Sequence, residues 1–488
     1  MKGLYLLILL FVCSMHTEAQ DYFLGCIDDP EEAAKIKNKP RMSTRSLEKL
    51  PSSHSLRKYC PYPKSQGSFG TCTSWSLAYG GRTICEAIKN GWTDRKRITD
   101  EAFSPLFIHA QINKAQDNCK SGASVQKGLK LMKEIGVPKL VSFANMCAVE
   151  SELSNNLFTE ASQYKLEDYT TLFYGDFNYL DHTPIYEKYT KENIIESVKK
   201  ALAEDRPVAT AMCCYVSFSY PVNGNWNGKL DTYRGGHAMC IVGYDDNHLI
   251  PNSNKRGAFE IMNSWGNSWS NEGFIWVSYE DYARNAWYAY EMKTGKAESK
   301  PDPSPTPSKK KYEFDGEVEL ILKNGKTINM QLNPDKRLCY YTAKEKLPSN
   351  TEFRAYASNT KSAWVYIISS DLTNNTQPLF PDQVNTSALL DYSENEIVLP
   401  DEKVYFQTDN ISGTDYVCIL YCQVQMDVDE ISDKVKKANG STFYDKIMNV
   451  FGSKSAPMSD LRLIHNKMGF SARTNSTVIP LIVELPHK

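Results

Sequence analysis

The sequence predicts an α+β chain, a two-lobed body followed by a mostly β accessory region. Three observations carry this reading. Helix-period segments crowd the stretch from about residue 72 to 203, strand-like runs dominate from Pro207 to about Tyr290, and a proline-, serine- and lysine-rich stretch then introduces a second strand-rich region. At 488 residues the chain exceeds what one hydrophobic core usually holds. Its formal net charge of -2, with the basic residues dispersed, excludes the electrostatic footprint of a nucleic-acid binder.

The N-terminus, "MKGLYLLILLFVCSMHTEAQDYF", has one lysine, an apolar run from Leu4 to Val12 and small residues before Ala19. This predicts a signal peptide over residues 1–19, cleaved after Ala19, and a secreted or periplasmic product. The apolar run is far shorter than the roughly 20 residues that span a bilayer, and no later stretch reaches that length, so no transmembrane segment is expected. Bulky Phe11 and Val12 argue against lipid attachment at Cys13. Export permits disulfides, and 12 of the 13 cysteines lie beyond Ala19. Read as a strand, "TDYVCILYCQ" puts Cys418 and Cys422 roughly 13 Å apart. That is beyond disulfide reach, and either thiol could pair with Cys339 instead.

Residues after Cys72 predict a helix to Asn90, with Gly91 suited to the left-handed terminal position. Gly80 and Gly81 inside it each weaken the helix by roughly 1 kcal/mol relative to alanine, which implies close packing against a neighbour. Ser104 and Pro105 open a second helix, and Val125, Leu129 and Met132 align on a third that Gly136 ends. "KENIIESVKKALAEDR" is a fourth, leading into the strands "PVATAMCCYVSF", "HAMCIVGY", "GAFEIMN" and "GFIWVSY". A semi-rigid linker covers residues 293–312. Beyond it, Asn324-Gly325 predicts a two-residue hairpin within "EVELILKNGKTINMQL".

The chemistry gathers around "KSQGSFGTCTSWSLAYGG". Cys72 opens a helix, whose positive end favours a thiolate. Gln66, on a glycine-rich loop, could bring its amide to a developing oxyanion alongside the Cys72 backbone N–H. His237, in "YRGGHAMCIVGYDD", is the best-placed base among the eight histidines. Asn263, in "IMNSWGNSWSNEGF", offers a neutral oxygen to orient it. Cys213-Cys214 reads as core packing or as one disulfide partner each. Asp245-Asp246 lacks the ligand number a cation needs, so no metal and no cofactor are expected.

These motifs, with "CKSGASVQKGLKLMKEIG" and "NSWGNSWSNEGFIWVSY", resemble the papain-like (C1) cysteine peptidases, especially secreted bacterial members, over residues 54–292. The resemblance implies a helical lobe and a β-barrel-like lobe with the active-site cleft between them, and protein or peptide substrates. It implies Cys72 as nucleophile, His237 as general base and acid, Asn263 as its orienter and Gln66 in the oxyanion hole. Trp265 would shield the Asn263 to His237 bond, and Gly122 would line the substrate side. Two departures stand at the rim: Phe69 replaces a cysteine that usually forms a disulfide, so Cys119 needs another partner, and Thr73 replaces a tryptophan. The long interval from Cys72 to His237 implies an insertion at about residues 145–189 that forms part of the cleft wall. The short segment 20–53 leaves little room for an inhibitory prosegment, so propeptide inhibition is not expected.

Residues 313–488 resemble a domain of unknown function (DUF4384) appended to bacterial peptidases, expected to bind a surface, a substrate or a partner protein. The expected activity is hydrolysis of peptide bonds through a Cys72 thioester. Two other classes fit parts of the pattern: a catalytically degenerate papain-like binding protein, and an acyl transferase of the transglutaminase type.

Overall fold

The computed structural model describes residues 23–113, 117–293, 295 and 311–488, apart from 372, 374, 384, 409 and 465. The signal-peptide assignment, Cys13 and nearly all of the linker lie outside the described residues.

A sheet built on the long strand Tyr233–Leu249 organises the first body. That strand pairs antiparallel with Val208–Tyr215 on one side and Arg256–Met262 on the other. Phe274–Ser278 extends one edge, and Ala286–Lys293 then Asp168–Tyr174 extend the other. Val208–Tyr215 is buried along its whole length, as the near-continuous apolar run "VATAMCC" requires.

The helices begin where their caps stand. Ser104 accepts from the Phe107 N–H ahead of Pro105–Ile112, Ser124 accepts from the Lys127 N–H ahead of Val125–Glu134, and Thr190 forms a capping box with Asn193 ahead of Lys191–Ala203. The helix from Cys72 to Asn90 is continuous but underwound in the middle. A π-helical stretch, Trp75–Arg82, separates α-helical ends, and Gly91 closes it with φ of 64°. Gly80 lies against Cys240, and a side chain on Gly81 would overlap Met292, so both glycines sit where the helix meets the sheet.

The second body is two packed sheets. One runs Met330–Leu332, Cys339–Ala343, Val478–His487, Gly413–Cys422, Ala363–Ser370, Thr376–Phe380, and the other centres on Tyr312–Leu322. Val318, Leu320, Ile419 and Leu481 share the core between them, while Val428–Lys437 and Phe443–Phe451 cover the outer face of the first.

Three expectations meet the structure here. Asn324-Gly325 does turn the chain back on Tyr312–Leu322: Thr327 bridges Ile321, the Leu322 N–H bonds the Lys326 carbonyl and the Ile328 N–H bonds the Leu320 carbonyl, both at 2.8 Å. A short hairpin therefore forms, closed by residues 323–325 and not by a two-residue turn, before Met330–Leu332 crosses to the other sheet. Cys339 pairs with neither Cys418 nor Cys422. Strand Val478–His487 lies between them in register, and their side chains belong to opposite faces. Two strand spacings, about 10 Å, exceed disulfide reach. The stretch 145–189 reaches the site in pieces: Met146 lies against Gly67 and Cys147 is bridged to Cys119 beside the Gly70 loop, Asp168–Tyr174 is an edge strand of the main sheet, and the hairpin at 176–185 stands near the strand that carries His237, with His182 stacked on Tyr233 at 4.0 Å.

Candidate active site

Each of the six predicted positions lies where two elements meet. Cys72 starts its helix, fully buried. His237 lies on the central strand opposite Met212, and Asn263 directly follows strand Arg256–Met262. The antiparallel pairing of those two strands brings the imidazole and the amide together, with His237 Nε2 2.8 Å from Asn263 Oδ1. That oxygen also accepts the Ser264 N–H at 2.7 Å, which fixes the amide orientation. Oδ1 can only accept, so Nε2 carries the proton and the tautomer leaves Nδ1 as the basic nitrogen. Nδ1 has no hydrogen-bond partner among the described residues. Trp265 stacks on the imidazole at 4.8 Å and is itself backed by Trp269 and Phe218.

Gln66 is buried, and its orientation is fixed from both ends. Its Oε1 accepts the Ser264 hydroxyl at 2.5 Å, and its backbone N–H bonds the Ser264 carbonyl. Nε2 is thereby turned outward, donating to the carbonyls of Phe69 at 2.7 Å and Phe23 at 3.0 Å. Ser264 is a positioning residue that motif reading passed over, although the sequence places it beside Asn263. The loop after Gln66 is tied down by the Gly70 N–H to the Cys119 carbonyl. Cys119 finds its partner in Cys147, the one disulfide among the described residues.

The site is not open. Residues 23–27 cross it as a short extended segment: Cys26 pairs parallel with Ala123 and antiparallel with Gly236. The Gly25 carbonyl accepts from the Ala123 N–H at 2.8 Å. A methyl group on Gly25 would overlap the Gly70 carbonyl, and one on Gly122 would overlap Gly25, so the three glycines form a close backbone sandwich. Gly122 therefore does touch a chain lying in the cleft. The Cys26 thiol reaches the Tyr288 hydroxyl at 3.1 Å. From its length, segment 20–53 is expected to be too short for a long inhibitory prosegment; five of its residues in extended form nevertheless lie across the site.

This cover sets the electrostatics. Burial pushes the Cys72 thiol up to about 11, against backbone hydrogen bonds from Ala238, Gly25 and Thr73 that pull it down. Burial also lowers His237 to about 4, partly offset by its bond to Asn263. Burial therefore opposes, in the covered state, the thiolate that the helix start favours.

The sequence model of papain family cysteine proteases matches residues 144–293, a stretch containing His237, Asn263 and Trp265. The chain carries a papain-family cysteine protease domain. Its class is that of cysteine-type peptidases, which are hydrolases. A peptidase C1-like protein of Acanthamoeba polyphaga mimivirus, described as uncharacterized, is 24% identical over 263 residues, covering 49% of this chain and 74% of its own. A cathepsin B-like protein of Giardia intestinalis is 34% identical over 81 residues, 16% of this chain and 25% of its own. Among solved structures, xylellain, a cysteine protease from Xylella fastidiosa, aligns with 57% of this chain and 96% of its own at 22% identity and a TM-score of 0.42. Bromelain from Ananas comosus, in complex with the E64 inhibitor, aligns with 50% of this chain at 16% identity and a TM-score of 0.36. Cys72 and Gln66 lie outside the matched stretch of the protease domain, and their assignment rests on the geometry above.

Among the described residues no group of three or more histidine, cysteine, aspartate or glutamate side chains could hold a metal ion, and no helix is long and apolar enough to cross a membrane. Asp246 is engaged by Lys199 at 2.7 Å and by the Tyr279 hydroxyl at 2.7 Å. Cys213 and Cys214 are both free and buried.

Proposed function

We propose that the protein hydrolyses peptide bonds through a thioester on Cys72, once residues 23–27 have left the cleft. The observation that carries this is the 2.8 Å bond from His237 Nε2 to Asn263 Oδ1, under Trp265 and next to Ala238, whose backbone reaches the Cys72 thiol. A histidine held in that tautomer keeps a basic Nδ1 for a thiol, and the backbone of the next residue, Ala238, is what reaches Cys72.

In the reaction, Nδ1 takes the thiol proton and the sulfur attacks the scissile carbonyl carbon. The resulting oxyanion is held by the Gln66 amide and the Cys72 backbone N–H. Collapse expels the amine, which takes the proton from His237, and water activated by the same imidazole releases the acid and restores the thiol. The bond from Gln66 Nε2 to the Phe23 carbonyl supports this role, since the amide reaches a carbonyl oxygen of a chain lying in the cleft. The Cys119–Cys147 disulfide supports export to an oxidising compartment, with a leader cleaved after Ala19. Substrates are extended protein or peptide chains, and no cofactor enters the cycle.

The test is a fluorogenic peptide library with reductant, run on the wild type and Cys72→Ala after the N-terminal segment has been displaced. Cleavage by the wild type alone is expected. Equal cleavage by both proteins would refute the nucleophile. Absence of cleavage together with absence of thiol labelling by an epoxide would refute the peptidase reading.

A further inference from the structure

Residues 35–49, "KIKNKPRMSTRSLEK", carry six basic side chains and one acidic one. They follow the segment that covers the cleft after residues 28–34, where Asp28 and Asp29 meet Tyr174 and Lys127, and two backbone bonds, Lys39 N–H to the Thr171 carbonyl and Thr171 N–H to the Lys37 carbonyl, join them to the first body. Most of their other contacts are with the C-terminal sheets. Arg45 donates to Glu319 at 2.9 Å and to both carboxylate oxygens of Glu396, with its guanidinium 3.8 Å from the centre of the Tyr356 ring. The Ser43 N–H bonds the Glu396 carbonyl at 2.7 Å, and Met42 enters the core between the two C-terminal sheets. Lys39 is buried against Asp391 and Glu291 and lies 3.9 Å from the centre of the Tyr392 ring. Backbone bonds complete the seat: the Asn38 N–H to the Asn385 carbonyl and the Ser387 N–H to the Asn38 carbonyl, both 2.8 Å.

The covering segment itself is short and makes few bonds. Across the cleft it has a two-residue strand between Ala123 and Gly236, bonds to the Gly25 carbonyl from the Ala123 N–H and the Thr73 hydroxyl, a contact of the Cys26 thiol with the Tyr288 hydroxyl, and one side-chain bond from Gln66. Five residues so attached would dissociate readily as a free peptide, because ordering each residue costs about 1–2 kcal/mol. Tethered about ten residues from a firmly seated anchor, the same segment meets the cleft at an effective concentration in the millimolar range.

We propose that the C-terminal β region is an acidic receptor for the basic N-terminal segment, and that its grip on residues 38–45 keeps residues 23–27 over Cys72. The protein then carries its covering segment and the holder of that segment at opposite ends of one chain, and loosening the holder uncovers the thiol. The proposal rests on the peptidase reading only for the meaning of the uncovered site, so its test is read on the thiol and on the segment itself.

The experiment uses the full chain with Lys39→Met and Arg45→Ala together. Removing Lys39 leaves Arg206 and Lys293 to face Glu291 and Asp391, so the junction keeps a balanced set of charges. Alkylation of Cys72 by iodoacetamide, located by peptide mass mapping, is expected to accelerate by about tenfold or more as the effective concentration falls. Amide hydrogen exchange over residues 23–27 should rise with it. A charge-matched control, Lys434→Met with Lys437→Ala on the exposed helix Val428–Lys437, should leave both unchanged. Should the double variant fail to fold, a synthetic peptide of residues 34–50 added to the wild type should uncover Cys72 where a scrambled peptide does not. A folded double variant with wild-type protection of Cys72, or equal action by both peptides, would overturn the proposal. Rapid alkylation without peptide cleavage would uphold it while refuting the peptidase reading.

Discussion

Gly25→Val is the most direct probe of how the cover controls the thiol. The Gly25 backbone is pressed between Gly70 and Gly122, and any Cβ at residue 25 would overlap the Gly70 carbonyl, which belongs to a loop held by Cys119. Valine therefore cannot be accommodated by a small shift, and the segment must leave. Burial is the largest cause of the rise in the Cys72 thiol to about 11 from its ordinary 9.0. Restoring water returns that difference of about two pH units, equivalent to about 2.7 kcal/mol between the protonation states. At pH 8 the thiolate fraction would rise from about one in a thousand to about one in ten, a gain of about a hundredfold in a reaction that only the thiolate undergoes. The assay is the pH profile of Cys72 alkylation by iodoacetamide in Gly25→Val and wild type, with circular dichroism to show that both are folded. A midpoint and a pH 8 rate unchanged by the substitution would refute the account of the cover as the source of the shift.

Asn263→Ala removes the group that fixes the His237 tautomer, and peptide turnover by the uncovered enzyme should fall by about a hundredfold with KM little changed, as steady-state kinetics would show. Cys119→Ser opens a disulfide of sequence separation 28 and should lower stability by about 3–4 kcal/mol in a denaturant titration. Acid should favour the open cleft: His237 is held near 4 when covered, so below its exposed value of about 6.5 the open state binds a proton that the covered state refuses. Protection of residues 23–27 against hydrogen exchange, corrected for intrinsic rates, should accordingly fall by about 2–3 kcal/mol between pH 7 and pH 4.5.

What the sequence disclosed and what it withheld divide along the range of the interactions. Ser104, Ser124 and Thr190 announce their helices because a cap acts on the next three residues. The site's spacing was readable because Cys72, His237 and Asn263 stand in motifs of local glycine, serine and tryptophan. The cover was not readable: Gly25 and Cys26 carry no periodicity, and their fit depends on Gly70, Gly122 and Gly236, far away in the chain. The Cys119–Cys147 bridge was equally hidden, since connectivity depends on where two loops meet. The π-helical middle of the Cys72 helix follows from packing on Cys240 and Met292, which local propensity does not encode. The Asn324-Gly325 turn was readable because it acts locally, bringing Thr327 back to Ile321. The departure of Met330–Leu332 to the other sheet was not, since its partner Cys339–Ala343 is placed there by Val478–His487, distant in sequence.

The strand Val478–His487 has one further consequence. It follows every other strand of its sheet in the sequence, yet it lies inside that sheet, hydrogen-bonded on both sides, to Cys339–Ala343 and Gly413–Cys422. A sheet whose interior strand comes last stays split in two until that strand has been made. During synthesis the cleft-bearing half therefore precedes its holder, and for that interval an unfinished sheet leaves the N-terminal segment unrestrained. Deleting residues 478–487 would make the interval permanent, so the timing of restraint is written into the order of the strands.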